Sequence, residues 1–360
     1  MFFKTKLLFL KIIIIKSWTA LKKIFIIIST VTLIFGYFCT KAYCQDIHFS
    51  QFTASPLSLN PAETGFFDEN WRFTNNYRTQ WAAIGTPYRT ISVGFDKSMH
   101  TKKGKNFGLG AFFINDHSGS SNLLVNKIFV NGSYILSLNE TNVLSFGAQI
   151  GFVTKNFTLN GLSLPSQFND NTGLFDSNLP NNITQTVENI QYLDINLGIK
   201  YKVTIKNLTP HFGLSFFHVN NPKETFVNTD NKLPMRVALN SGVTLPIKDN
   251  IDIVPNILVM LHKKTNDFVL GGIANFKLKP HKQISNIFAG IYERNSLNNA
   301  DAIIFTAGLG IYGFDLGFSY DVNISALKAA TKNRGAFEIS IIYKHLTQKV
   351  KSVTIPCDRY

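Results

Sequence analysis

Cysteine is nearly absent from this sequence. Cys39, Cys44 and Cys357 are the whole complement in 360 residues, and the first two lie in the N-terminal leader. With the leader removed, Cys357 stands alone and no internal disulfide can form. An exported chain without disulfides must be held together by other means. Charge is also scarce, at 16% of residues against 45% hydrophobic and 13% aromatic, with 32 phenylalanines. That balance is the opposite of what keeps a chain disordered. The formal net charge is +14, but residues 1–44 hold seven lysines and no acid, which leaves 14 − 7 = +7 for the rest. No later Lys/Arg cluster is of the kind that tracks phosphates, which excludes a nucleic-acid partner. A sustained helical period is missing beyond the leader as well.

The leader itself is informative. Lys22-Lys23 precedes an apolar run from Ile24 to Phe38, and the small residues Ala42 and Cys44 stand two apart before Gln45. A positive start, an apolar stretch of about 15 residues and a small-residue site spell a signal peptide over 1–44, cut before Gln45. A membrane anchor is the bland alternative, but the run is short of the ~20 residues a helical span needs. A lipid-modified Cys44 would require a small apolar lead-in, which Lys41-Ala42-Tyr43 does not provide.

What fills the mature chain is alternation. Leu193, Ile195, Leu197, Ile199, Tyr201 and Val203 alternate with Asp194, Asn196, Gly198, Lys200 and Lys202. Phe314, Leu316, Phe318 and Tyr320 do the same against Asp315, Gly317, Ser319 and Asp321, and Phe337, Ile339 and Ile341 against Glu338 and Ser340. Period two over such lengths is a strand signature, because successive side chains point to opposite faces. About fourteen such segments are expected, centred near 74, 92, 110, 130, 150, 198, 213, 240, 256, 272, 289, 307, 317 and 340. Several exceed the usual ~5–6 residues of soluble strands and reach the ~9–11 of a transmembrane strand. The fold class is therefore all-β: a transmembrane antiparallel barrel over 71–346, preceded by a strap at 45–70 and followed by a tail at 347–360. A soluble sandwich with one wet face is the rival. Connection lengths favour the barrel, since short links near 139–141, 206–208, 248–249 and 313 interleave with long ones at 160–189, 220–234 and 323–334.

The segment after the leader reads Gln45-Asp46-Ile47-His48-Phe49-Ser50-Gln51-Phe52, then Leu59-Asn60-Pro61-Ala62 and Gly65, and leads into Asn76-Tyr77-Arg78-Thr79-Gln80-Trp81. Near the far end stand Ser319-Tyr320-Asp321-Val322-Asn323 and Gly335-Ala336-Phe337-Glu338, and the chain closes with Cys357-Asp358-Arg359-Tyr360. This pattern resembles the PorP/SprF family of type IX secretion and gliding proteins. Members commonly end Cys-Pro-Arg-Phe; this chain carries Asp358 and Tyr360 there. The resemblance implies an integral bacterial outer-membrane protein without enzymatic activity that helps export, dock or anchor a surface protein. Its implied partners are other type IX components, a cargo with a C-terminal sorting domain, and outer-membrane lipid. His48, Phe49, Ser50, Gln51, Phe52, Asn60, Pro61, Ala62, Gly65, Cys357, Arg359 and Tyr360 are the family-signature or partner-contact candidates. Asn60-Pro61 and Gly65 also punctuate a turn. The strap over His48–Ala62 precedes the first strand, so it lies at the periplasmic mouth or plugs the lumen.

Chemistry is expected nowhere: no catalytic, cofactor or metal site. Gly308-Leu309-Gly310-Ile311-Tyr312-Gly313 spells G-x-G-x-x-G, yet a strand follows it where a dinucleotide site needs a helix. His211 and His218 are seven apart on one expected strand and so should face opposite sides. Asp116-His117-Ser118 is the one local hydrolase candidate and is expected in an outer loop. Inner-face residues are Gly, Ser and Asn with scattered charges, which leaves a channel for small solutes as the alternative function.

Overall fold

The computed structural model describes residues 46–100, 106–119, 123–157, 165–170, 172–176, 178–180, 189–226, 230–263, 265–278, 283–296 and 299–345. The expected signal peptide (1–44) and tail (347–360), with Cys357, Arg359 and Tyr360, lie outside the described residues.

The strands are β1 (Trp71–Gln80), β2 (Tyr88–His100), β3 (Asn106–Ser118), β4 (Leu123–Ser137), β5 (Asn142–Asn156), β6 (Phe168–Asn169), β7 (Leu174–Phe175) and β8 (Asn189–Val203). They continue as β9 (Thr209–Phe217), β10 (Arg236–Lys248), β11 (Ile251–His262), β12 (Thr265–Lys277), β13 (Ile284–Ser296), β14 (Asn299–Ile311), β15 (Phe314–Asn323) and β16 (Arg334–Lys344). β6 and β7 form a separate miniature hairpin in the longest connection. The other fourteen make one closed barrel, each antiparallel to its chain neighbour, with β1 paired to β16 from Arg72↔Lys344 to Gln80↔Ala336. Every strand centre expected from the alternation falls inside one of these fourteen.

Closure satisfies every strand edge, which is what allows strands rather than helices to cross lipid. The alternation now has a direction. On β8, Leu197 is 42% exposed on the outer surface while Asn196 is 1% exposed inside. Phe95, Val130, Ile150, Ile291 and Phe305 likewise stand exposed on the outer wall. Aromatic rings stand at both ends: where β1 begins, Trp71 contacts Phe95 (5.6 Å), Tyr343 (5.1 Å) and His345 (5.4 Å, stacked) and Phe107 meets Tyr134 at 5.3 Å, and where β1 ends, Trp81 meets Tyr88 at 5.1 Å. An apolar band bordered by an aromatic girdle is the outer surface of a membrane barrel.

The end where β1 begins carries the tight connections, among them the Tyr312–Gly313 turn, where both residues have positive φ (50° and 84°) as a two-residue hairpin demands. The G-x-G-x-x-G string thus folds as a hairpin. The opposite end carries the long connections, 157–188, 218–235 and 324–333, although 263–264 and 297–298 are two-residue links there. Asp116-His117-Ser118 is not in a loop. These residues end β3, with Asp116 turned inward to accept a hydrogen bond from Thr90 Oγ1 at 2.5 Å. The strand simply runs further than the hydrophobic pattern indicated, because its last residues are polar.

Candidate functional site

The lumen is the one place where polar chemistry concentrates, and residues 46–70 run through it. They contain only short helical turns, Phe52–Ala54, Pro56–Leu59 and Pro61–Glu63. Proline opens two of these turns, where its missing N–H costs nothing. Asn60 caps the third by accepting from Ala62 N–H at 2.9 Å. Gly65, at φ +64°, then redirects the chain towards β1.

At the long-loop end, Asp46 meets Lys127 (2.6 Å), Arg236 (3.4 Å) and His218 Nε2 (3.2 Å). His218 Nδ1 faces Asp194 at 2.9 Å, so both ring nitrogens point at carboxylates. Burial disfavours charge on this ring, but the Asp194 and Asp46 carboxylates outweigh it and raise the His218 pKa above its ordinary value. Burial likewise opposes the Asp46 charge, yet Lys127 and Arg236 hold its carboxyl well below the usual range. His218 was expected to face away from His211. Instead β9 stops at Phe217, and a positive φ of 58° turns the His218 ring back inside.

Deeper in, Glu338 accepts the backbone N–H groups of Ser50 (2.6 Å) and Gln51 (2.9 Å) and is paired with Arg78. The Ser50 hydroxyl donates to Asp321 (2.7 Å) and accepts from Arg78 (2.6 Å) and Arg294 (2.9 Å). Arg294 completes the group through Asp321 at 3.0 Å. Ser340 donates to Gln51 Oε1 at 2.8 Å. All these partners are nearly inaccessible to water, where isolated charges would be prohibitive and only pairing makes them tolerable. Phe52 sits in an apolar cluster with Phe217, Leu258, Met260 and Ile304, edge-on to Tyr292 at 5.8 Å. Leu57 packs against Phe112, Phe129 and Tyr192. Phe49 is buried and His48 half-buried, its ring against the Asp46 carbonyl at 3.3 Å.

Towards the short-turn end, Glu63 pairs with Lys200 (2.5 Å), and Asp96 takes both Arg72 (2.8 Å) and the Gly65 N–H (2.8 Å). The wall here is glycine where the strap touches it. A Cβ on Gly147 would lie 2.2 Å from the Pro61 carbonyl carbon, and one on Gly198 would lie 2.0 Å from Asn60 Oδ1. Asn60, Pro61 and Ala62 are therefore seated in a groove that only glycine permits.

Nine of the twelve family-signature candidates, His48 to Phe52, Asn60 to Ala62 and Gly65, thus belong to one continuous strap inside the barrel. Of their partners, Arg294 lies outside every motif quoted above, and Arg78, Asp321 and Glu338 stand within those motifs without being candidates; His218, with Asp194 behind it, holds Asp46 instead. The signal was available in part, since Asp321 and Glu338 occupy inward positions of alternating strands. The lumen charges are numerous and paired rather than scattered, and the pairing joins residues up to 260 positions apart. The arrangement fastens the strap: the Ser50 hydroxyl is engaged by Asp321, Arg78 and Arg294, and its N–H by Glu338. Among the described residues no His/Cys/Asp/Glu group is placed to hold a metal ion.

A family model described as "Type IX secretion system membrane protein PorP/SprF" matches residues 41–343. No curated protein matches. Among solved structures, the toluene transporter TbuX of Ralstonia pickettii is 12% identical, over 82% of this chain and 94% of that one, with a TM-score of 0.47. A FadL homologue of Pseudomonas aeruginosa is 10% identical over 79% and 92%, also at 0.47. CdiB from Escherichia coli is 7% identical over 75% and 63%, at 0.46.

Proposed function

Since the chain belongs to the PorP/SprF family of type IX secretion system membrane proteins, we propose that it serves as a closed, non-enzymatic docking barrel of the outer membrane. In this reading it helps to export or anchor a surface protein bearing a C-terminal sorting domain, together with other secretion components. The barrel fold and the family make it an integral outer-membrane protein. The observation that carries the reading is the strap, bound from Asp46 to Gly65 by ion pairs and hydrogen bonds to strands all round the lumen. A general solute channel has no use for so heavily fastened an obstruction.

Conductance in planar bilayers separates the two. The intact protein should be silent, and a variant lacking residues 46–66 should pass current. Steady conductance by the intact protein would favour the solute channel. The tail supplies the test of docking: deletion of Ser352–Tyr360, which removes Cys357, Arg359 and Tyr360, should leave a heat-modifiable inserted barrel while cargo display falls. Unchanged display would reject the tail as a tether.

A further inference from the structure

The strap does not fill the lumen evenly. Its Asn60–Glu63 turn leans on β4, β5 and β8, and a cavity of about 390 Å³ remains between the strap and the wall formed by β10 to β16. The cavity is floored by Phe52, Tyr292 and Ile304, members of the apolar cluster that closes the long-loop side. Asn275, Asn286 and Asp315, near the short-turn ends of β12, β13 and β15, line its other end. Lys277 and Lys344 stand at that rim with their side chains 50% and 35% exposed, so it opens to solvent there.

The lining has a definite chemistry. Every charge beside it has a partner: Lys200 with Glu63, Arg72 with Asp96, Lys344 with Asp315 at 3.5 Å, and Lys277 with Asp252 at 2.7 Å. A charged guest would find no uncompensated counter-charge. The remaining polar groups of the lining include the His211 ring and the amides and hydroxyls of Asn240, Asn256, Asn275, Asn286, Thr306 and Ser340, set beside the rings of Phe288 and Tyr292 and the aliphatic side chains of Leu59, Val254, Ile273 and Ile342. Asn286 donates to Asn275 (3.0 Å) and accepts from Ser285 Oγ (2.8 Å), and Asn256 donates to the Val254 carbonyl (3.0 Å) and the Tyr292 hydroxyl (3.4 Å), which leaves the Asn256 side-chain oxygen and about half of the Asn286 capacity for a guest. The volume is that of small-molecule pockets, about 300–1,000 Å³. An extended peptide is a poor guest, because a closed barrel offers no free strand edge to pair with its backbone. A polyol asks only for side chains that both donate and accept, and for an aromatic surface to cover its C–H face.

We infer that this pocket binds a neutral, hydroxyl-rich ligand of mono- or disaccharide size that enters from the short-turn end. The inference goes beyond the docking role and does not depend on it. Calorimetric titration of the full-length protein, in an amine-oxide detergent that carries no sugar, with maltose and with N,N′-diacetylchitobiose tests it directly. Saturable binding of at least one sugar is expected, weakened at least about tenfold in Asn256→Ala/Asn286→Ala and in Phe288→Ala. The lipid-facing Leu270→Ala should bind as the parent does. Heat-modifiability confirms that each variant is folded, and Asn286→Asp, which keeps the side-chain shape, stands in if the double variant fails to fold. Absence of binding by both sugars, or binding indifferent to these substitutions, overturns the inference. So does a neutral Gly/Asn peptide that binds where the sugars do not.

Discussion

Glu338 joins the first and last parts of the chain, taking two strap N–H groups on one carboxylate while paired to Arg78. Glu338→Ala would leave two backbone donors unmet and Arg78 with Asp321 (3.3 Å) and Ser50 but without its nearest carboxylate, a loss of up to about 3–5 kcal/mol for breaking a buried pair. Urea unfolding in detergent should show that loss, with Glu338→Gln falling between the variant and the parent. His218 gives a pH dependence. Its folded pKa is raised above the ordinary value of 6.5. Its contribution is therefore complete below about pH 6.5 and declines as pH rises through the folded value. Asp46 behaves oppositely, its contribution being lost only in acid as pH falls through its lowered pKa. Lys127, Arg236 and Asp194 complete the charged surroundings. Thermal midpoints of the parent should drop on the alkaline side of that point, and His218→Gln should flatten this slope. Neither network was legible from the sequence, since partners such as Asp46 and His218 become neighbours only once the barrel has closed.

The strands were the legible part. Alternating apolar and polar residues carry both the element type and the face, so Leu197 could be assigned to lipid and Asn196 to the lumen before any coordinates. Depth along a strand was less legible. Leu197 lies near the middle of β8, whereas Leu316 lies near the short-turn end of β15. An arginine costs roughly 2–4 kcal/mol at the bilayer midplane and little near the interface. Leu197→Arg should therefore impair folding into vesicles much more than Leu316→Arg, as read by the heat-modifiable fraction. A tolerant inner face was the sequence expectation for Asn196→Arg. The structure removes it, because Asn196 donates to Gln149 (2.6 Å) and accepts from His218 N–H (2.9 Å) in a packed interior. Strand ends were the other gap: polar termini such as Asp116–Ser118 give period-two reading nothing to register.

The antiparallel ladder makes the orientation of the whole molecule a single binary choice. Both ends of the strand series lie on the short-turn side, and we propose that this side faces the periplasm and the long connections face outward. An epitope placed between 172 and 182 should be labelled on intact cells, and one after Asn207 should be labelled only after permeabilisation. Labelling at both sites in sealed cells would reverse or refute the assignment.

The course of the strap ties the start of the chain to its last strand. It runs from Arg236 and Lys127 at the long-loop end down to Asp96 before β1 starts, so a segment made before the strand series is enclosed by it. Ser50 and Gln51 bind β16, the strand that meets β1 to finish the cylinder. The N-terminal segment is thus a mandrel inside the cylinder, fastened to the strand that closes the seam.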